Sequence, residues 1–374
     1  MKSIVDKVLK QSEKEKSAEE QAAEMMSPDD EELRKLVETL QVKIKILGCG
    51  GGGSNTINRL YEEGIVGADL IALNTDAKHL LTVKAHKKIL TGKKLTRGLG
   101  AGAIPEIGEK AAQEAEDEIE SAIDGADIVF VTAGMGGGTG TGTGYYVARK
   151  AKESGSLVMS VVTLPFKAEG TKRMENAIKG VEKLRRVCDT TIVIPNDKLL
   201  ELVPRMPLEA AFKVADEILM QSIKGLTEII TKPGLVNLDY NDVRTIMEGA
   251  GMAIIGIGES DDPTSRVDVA MTEALSSPLL GEVDISEGRG ALVRVVGGPD
   301  MTVSEAEKAA KMVSERISKN ARIIWGCSVE PELERTIKIL VVITGVKSSQ
   351  IVGSESVSFG GDNSVESDDM DFVS

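Results

Sequence analysis

Glycine occupies 48 and 50–53 in one stretch, GCGGGG, and recurs at 134, 136–138, 140 and 142 in a second, AGMGGGTGTG. Each run follows an apolar segment of strand type and precedes a helical pattern, so each reads as strand, glycine turn, helix. That arrangement constrains the chain most. Consecutive glycines let several backbone N–H groups face one anion, and the helix N-terminus beyond adds a favourable dipole. Thr139 and Thr141 add hydroxyl donors within the second run. Tight turns that pack helices onto strands would explain either run singly. Together they predict two phosphate-binding loops at the carboxyl edge of one sheet.

The first run also contains G-x-G-x-x-G at Gly48, Gly50 and Gly53, with Asp69 or Asp76 at the distance of a ribose-binding acid. A nicotinamide-dependent oxidoreductase is therefore a rival, but such a fold needs one glycine loop, and hydride transfer calls for an acid in the second half. The only histidines, His79 and His86, lie near the first loop instead. A Walker-type loop is disfavoured, because Gly92-Lys93-Lys94 lacks both the upstream glycine and the hydroxyl.

A formal charge of −14 argues against nucleic-acid binding, which rests on concentrated Lys and Arg. Cys49, Cys188 and Cys327 are widely spaced and without metal-ligand pattern, as in a reducing cytosol, and no protein-held metal site is expected. Cys49 reads as a small filler among glycines. The longest late apolar run, 339–343, is far too short to span a bilayer, so a soluble cytoplasmic protein is expected.

Strand patterns at 42–47, 69–73, 127–132, 157–164 and 190–194 alternate with helical ones at 105–124, 140–153 and 170–187. The fold class expected is α/β, with a mostly parallel sheet and helices on both faces. A long helix over 208–230 ends at Lys232-Pro233-Gly234. A shorter one near 241–248 and apolar segments at 250–258, 291–296, 321–327 and 337–343, with helices at 264–276 and 302–318, make a smaller α+β part. Four regions result: an N-terminal extension, partly helical, at 1–40; a nucleotide-binding domain including the long central helix at 41–231; a C-terminal α+β domain at 232–346; and a disordered acidic tail at 347–374.

The stretch GGGTGTG at 136–142 resembles the signature of the tubulin/FtsZ family, and its companions match in order: GCGGGG, LNTD at 73–76, GLGAGA at 98–103, PFKAEGTKR at 165–173, IPND at 194–197 and GLVNLDYNDVR at 234–244. The resemblance covers roughly 42–346 and is to the prokaryotic cell-division branch rather than the longer tubulins. It implies a GTPase that polymerises head to tail, with GTP or GDP bound and Mg²⁺ held mainly through phosphates.

By this resemblance Gly50, Gly51, Gly52 and Asn55 contact the nucleotide, Ala101, Gly102 and Ala103 close over the γ-phosphate, and Gly136, Gly137, Gly138, Thr139, Gly140 and Thr141 hold the α- and β-phosphates. Glu169 is implied at the ribose, Arg173 near ribose or phosphate oxygens, and Asn196, Phe212 and Asp216 at the guanine. A carboxylate at Asp216 has a chemical reason: it accepts from guanine N1–H and the exocyclic amine, a donor pair that adenine lacks. Against these stand an i, i+4 surface pair for Glu169 and Arg173 and a core aromatic for Phe212.

Asn237, Asp239 and Asp242 follow the helix breaker, remote in sequence from both glycine runs. The family's corresponding loop docks on the next subunit's nucleotide, so Asp239 and Asp242 would orient water there, while Asp239 also suits an N-cap. Ile104 departs from the asparagine common in the family before the proline, which removes a polar contact beside the phosphate loop. A filament protein that binds nucleotide without hydrolysis is the second alternative, opposed by the two aspartates. The apolar-acidic end Met370-Asp371-Phe372-Val373 suits capture by a membrane-tethering division adaptor at mid-cell.

Overall fold

Apolar residues alternating with lysines become strand β1 (Ile44–Cys49), which runs straight into helix α1 (Gly50–Glu62). The same pattern recurs at β4 (Ile128–Gly134) and α5 (Gly138–Glu153). The glycines at 50–53 lie inside the first turn of α1, and Gly138 and Gly140 inside that of α5, instead of forming a wholly separate loop. Local propensity reads glycine as a breaker, but the first N–H groups of a helix have no intrahelical partner, and that is where a ligand can use them. The computed structural model describes residues 41–346 apart from 203–206, 233, 235, 237, 281 and 282. The expected extension, the acidic tail and Asn237 therefore lie outside the described residues.

Between and after these units come β2 (Ala68–Asn74), α2 (Ala77–Thr82), β3 (Lys87–Leu90), α3 (Pro105–Glu114), α4 (Glu116–Ile123), β5 (Leu157–Leu164), α6 (Thr171–Val187), β6 (Thr190–Pro195) and α7 (Asn196–Leu202). The helix expected over 105–124 is two, divided at Ala115, whose φ of −103° and ψ of 24° leave the helical region. Short α2, β3 and α7 were not apparent from periodicity, because four to seven residues are too few to show one. The central helix α8 (Leu208–Thr231) precedes α9 (Tyr240–Met247), β7 (Gly251–Ser260), α10 (Arg266–Leu275), β8 (Gly290–Gly297), α11 (Val303–Ser314), β9 (Arg322–Val329) and β10 (Ile337–Thr344).

All strands join one ten-stranded sheet in the order β3-β2-β1-β4-β5-β6-β7-β10-β8-β9. Pairing is parallel from β3 through β7 and again at β8–β9, and antiparallel where β10 meets β7 and β8. The parallel strands expected of the nucleotide-binding part run from β3 through β6, and the strands of the expected smaller α+β part continue the same sheet instead of forming a separate one. Helices cover both faces of β4 and β5, so every residue of β5 is buried. One core gathers Leu47, Val131, Tyr146, Val158 and Leu184, and a second gathers Ile254, Met271, Val293, Val341 and Ile339. Because β1 and β4 are adjacent and parallel, with Cys49 level with Ala133, both glycine runs emerge side by side at the carboxyl edge.

Candidate nucleotide site

The two runs touch through backbone. Gly50 has φ of +72°, and a Cβ there would lie 2.6 Å from Gly140 N. Gly136 has φ of +100°, and a Cβ would lie 2.6 Å from Arg173 O, which brings the start of α6 against the second run. The third loop joins by a hydrogen bond from Gly138 N–H to Gly102 O at 2.8 Å. A Cβ on Gly138 would meet Gly102 O at 2.6 Å and Ala101 O at 2.8 Å, so only glycine permits this approach. In contrast, Gly51 is exposed and a Cβ there would meet nothing within 4 Å. It faces open space.

Not every residue of the second run is available to a ligand. Gly137 and Thr139 reach the surface, while Gly136, Gly138, Gly140 and Thr141 are buried behind them. The Thr141 hydroxyl accepts from Gly136 N–H at 2.9 Å and so closes the loop. Thr139 Oγ1 lies 2.6 Å from Thr75 Oγ1, tying the run to the LNTD segment after β2. Both hydroxyls thus have structural partners, which the sequence did not disclose. Ala101 is buried, and Ala103 O accepts from Asn176 Nδ2 at 3.0 Å, so α6 anchors the loop that precedes α3. Ile104 is the N-cap of α3 without a side-chain cap bond, in keeping with the missing polar contact, and its side chain is exposed.

Beside the second glycine run, Glu169 and Arg173 form the i, i+4 ion pair at 2.6 Å. Glu169 Oε1 also accepts from Phe166 N–H at 2.9 Å, and Lys167 N–H donates to Asp197 Oδ1 at 3.1 Å, so the exits of β5 and β6 are stitched together. Asn196 is buried, yet its Oδ1 has no hydrogen-bond partner. Buried acceptors are seldom left unpaired, and a ligand donor would satisfy this one. Phe212 is 38% exposed, not a core residue, and stands edge-on to buried Phe166 with centroids 5.0 Å apart. Its free face suits stacking.

Asp216 lies one helical turn further along α8, where burial pushes its carboxyl up to about 6 against the lowering effects of Arg59 and of a bond from Asn55. Asn55 Nδ2 donates to Asp216 Oδ2 at 3.4 Å, and Arg59 is engaged by Glu217 at 3.0 Å. A carboxylate that titrates just below neutrality remains ionised at pH 7 and accepts two donors. Three residues absent from the sequence reading of the site belong to this group: Asn74, Thr75 and His79. The LNTD motif at the end of β2 was the available signal. Cys49, by contrast, is fully buried with its thiol pushed up to about 12 by desolvation, consistent with a filler.

Asp239 and Asp242 stand elsewhere. Asp239 is the N-cap of α9 and accepts from Asp242 N–H at 2.8 Å, while Asp242 Oδ2 accepts from Asp239 N–H at 3.3 Å. This is a reciprocal capping box. The other end of α9 is fixed to the amino-terminal end of β6 by Thr190 Oγ1 donating to Met247 O at 2.5 Å. Thr190 lies about 17 Å from Pro195 at roughly 3.3 Å per strand residue, so the Met247 end of α9 sits at the amino edge of β6.

Comparison with known proteins reaches the same group of motifs. Residues 43–204 match the GTPase domain of the tubulin/FtsZ family, and 251–347 match the FtsZ family C-terminal domain. A cell division protein FtsZ 1 of Archaeoglobus fulgidus is 54% identical over 94% of this chain and 95% of its own length. One from Pyrococcus abyssi is 52% identical over 91% of each. The chain belongs to the tubulin/FtsZ family. Among solved structures, an empty FtsZ dimer of M. jannaschii shares 49% identity at a TM-score of 0.82, covering 91% of this chain and 100% of that one. CetZ2 of Haloferax volcanii, at 22% identity and a TM-score of 0.70, shares the fold, covering 82% of this chain and 94% of its own. As a family member the chain is a cell-division GTPase that binds GTP and GDP. Hydride transfer and nucleotide binding without hydrolysis are not supported.

Proposed function

We propose that GTP lies along the carboxyl edge, its phosphates over Gly51, Gly137 and Thr139 and its guanine at Phe212, Asn196 and Asp216, and that copies assemble head to tail. Asp239, Asp242 and Asn237 of one copy then complete the site of the next, where the carboxylates orient the attacking water. A nucleotide-binding unit at 41–231 and a C-terminal unit at 232–346 carry the two halves of that contact. The observation that carries this reading is that Asp239 and Asp242 bond to each other's backbone at the head of a helix whose other end is anchored at the amino end of β6, and not to the glycine loops. Self-association is in keeping with the M. jannaschii FtsZ relative, whose structure is a dimer.

Among the described residues no three His, Cys, Asp or Glu side chains converge as a metal cage. Mg²⁺ would accordingly enter with the phosphates, where it supplies counter-charge to the leaving group. The reading is tested by GTP turnover per subunit across protein concentration. It should be low below an assembly threshold and rise above it; a flat rate would show a self-contained site.

Further, we take the protein to act in the cytoplasm at mid-cell and its last residues to engage a membrane-tethering adaptor. No described helix is long and apolar enough to cross a membrane. Deleting 365–374 should leave polymerisation and hydrolysis intact while abolishing filament localisation. Normal localisation of the truncated chain would move docking to another part of the molecule.

A further inference from the structure

His79 lies in the short helix α2, and its ring is half-buried between the end of β2 and the side of α1. Its Nδ1 is 3.0 Å from Asn74 Nδ2 and its Nε2 is 3.1 Å from Asn55 Oδ1. The orientation of Asn74 is fixed independently, because its Oδ1 accepts from Asp76 N–H at 3.2 Å. An amide nitrogen only donates, so Nδ1 of His79 is the acceptor and the ring proton resides on Nε2. Nε2–H therefore donates to Asn55 Oδ1. The other end of that amide, Nδ2, is thereby directed to Asp216 Oδ2 at 3.4 Å.

We infer that His79 is a positioning residue for base selection: through the ordered relay Asn74, His79, Asn55, Asp216 it sets the polarity of the Asn55 amide and so keeps Asp216 presented as a two-oxygen acceptor to guanine. The inference rests on the assignment of Asp216 to the guanine. Its physical content lies in direction. A donor at Asn55 favours the ionised form of its neighbour and pins the carboxylate plane, whereas a reversed amide would oppose oxygen to oxygen and favour a protonated acid. A protonated Asp216 offers a hydroxyl where guanine also offers donors, and that mismatch erodes the preference over adenine. Arg59, one turn beyond Asn55, also favours the ionised carboxylate through its charge, but its guanidinium is bonded to Glu217 at 3.0 Å and does not set the direction of the amide. The histidine relay is what holds the amide.

Polarity makes the proposal separable from a simple packing role for α2. His79→Gln keeps an N–H donor toward Asn55, His79→Ala removes it, and His79→Glu substitutes an acceptor that favours the reversed amide. Full-length variants would be titrated below the assembly threshold with GTP, ATP and xanthosine triphosphate, using displacement of a fluorescent guanine nucleotide and a thermal melt as a folding check. For His79→Ala the GTP-to-ATP preference should fall about tenfold, the scale of losing a hydrogen bond to a charged group. His79→Glu should lose more, and His79→Gln should recover most of it. Equal preference ratios in all three variants would overturn the proposal and leave His79 a packing residue. Asp216→Asn, run alongside, tests the underlying assignment, because an amide matches xanthine better than guanine. If that variant switches to xanthosine triphosphate while the His79 series is flat, only the relay fails. If Asp216→Asn keeps its GTP preference, the base assignment falls and the relay with it.

Discussion

The glycine loops and the head of α9 are built in opposite ways. At the carboxyl edge, three loops meet main chain to main chain, so that Gly50, Gly136 and Gly138 have no space for a Cβ. At the head of α9, Asp239 and Asp242 present carboxylates from an ordinary capping box, with their backbone needs met by each other. The first arrangement is specified by steric exclusion, and the second by side-chain identity. Binding polyphosphate needs many donors in fixed positions, which backbone supplies, whereas activating water needs charge, which backbone lacks. On the proposed reading, assembly brings these two demands together.

The sharpest break in this comparison is between two glycines. Gly138→Ala should weaken nucleotide binding by roughly a hundredfold, since overpacking against Ala101 O and Gly102 O displaces the loop at a cost of about 3 kcal/mol. Gly51→Ala adds the same methyl into open space and should leave the melting temperature of the free protein within about 2 °C. Equal damage from both, read by calorimetry and nucleotide titration, would show that steric exclusion does not define this edge.

Next in size, Asp239→Ala and Asp242→Ala should each slow GTP turnover at least about tenfold while leaving GTP affinity near that of the parent. Asp239→Ala should also cost about 1 kcal/mol of stability through the lost cap. Parallel losses of affinity and turnover would place these aspartates in their own subunit's pocket.

The smallest effect concerns the cost of keeping Asp216 ionised. Its folded pKa, about 6, lies above the value of an unfolded aspartate, so it adds stability at low pH that is lost as pH climbs through 6. Asp216→Asn should therefore raise the melting temperature of the nucleotide-free protein at pH 7.5, by on the order of 1–2 kcal/mol of stability, with the advantage gone near pH 4. A destabilised variant at pH 7.5 would mean that Asp216 is held by favourable contacts and not strained for binding.

Long periodic elements were legible residue by residue. The span 157–164 is β5 without adjustment, and the central helix ends within one residue of its expected stop. The ordered motifs identified the family before any contact was known. Periodicity and propensity are local properties, and they suffice where an element is long and its apolar face continuous. They fail where a few residues are held by distant ones. Thus α2 and β3 went unread, and the Gly-rich starts of α1 and α5 read as turns.

At the site, the sequence determined which residues carry suitable chemistry: glycines after strands, a carboxylate at Asp216 and paired aspartates beyond a helix breaker. Only the tertiary structure decided which of them are free to act. Thr141 spends its hydroxyl on Gly136, Asn196 retains an unpaired buried oxygen, and Phe212 has an open face. His79 joins Asn74 to Asn55 across separate elements. The reason is that a hydrogen bond is set by the direction and spacing of two partners, and those are fixed when strands pair and helices pack, not when the residues are chosen.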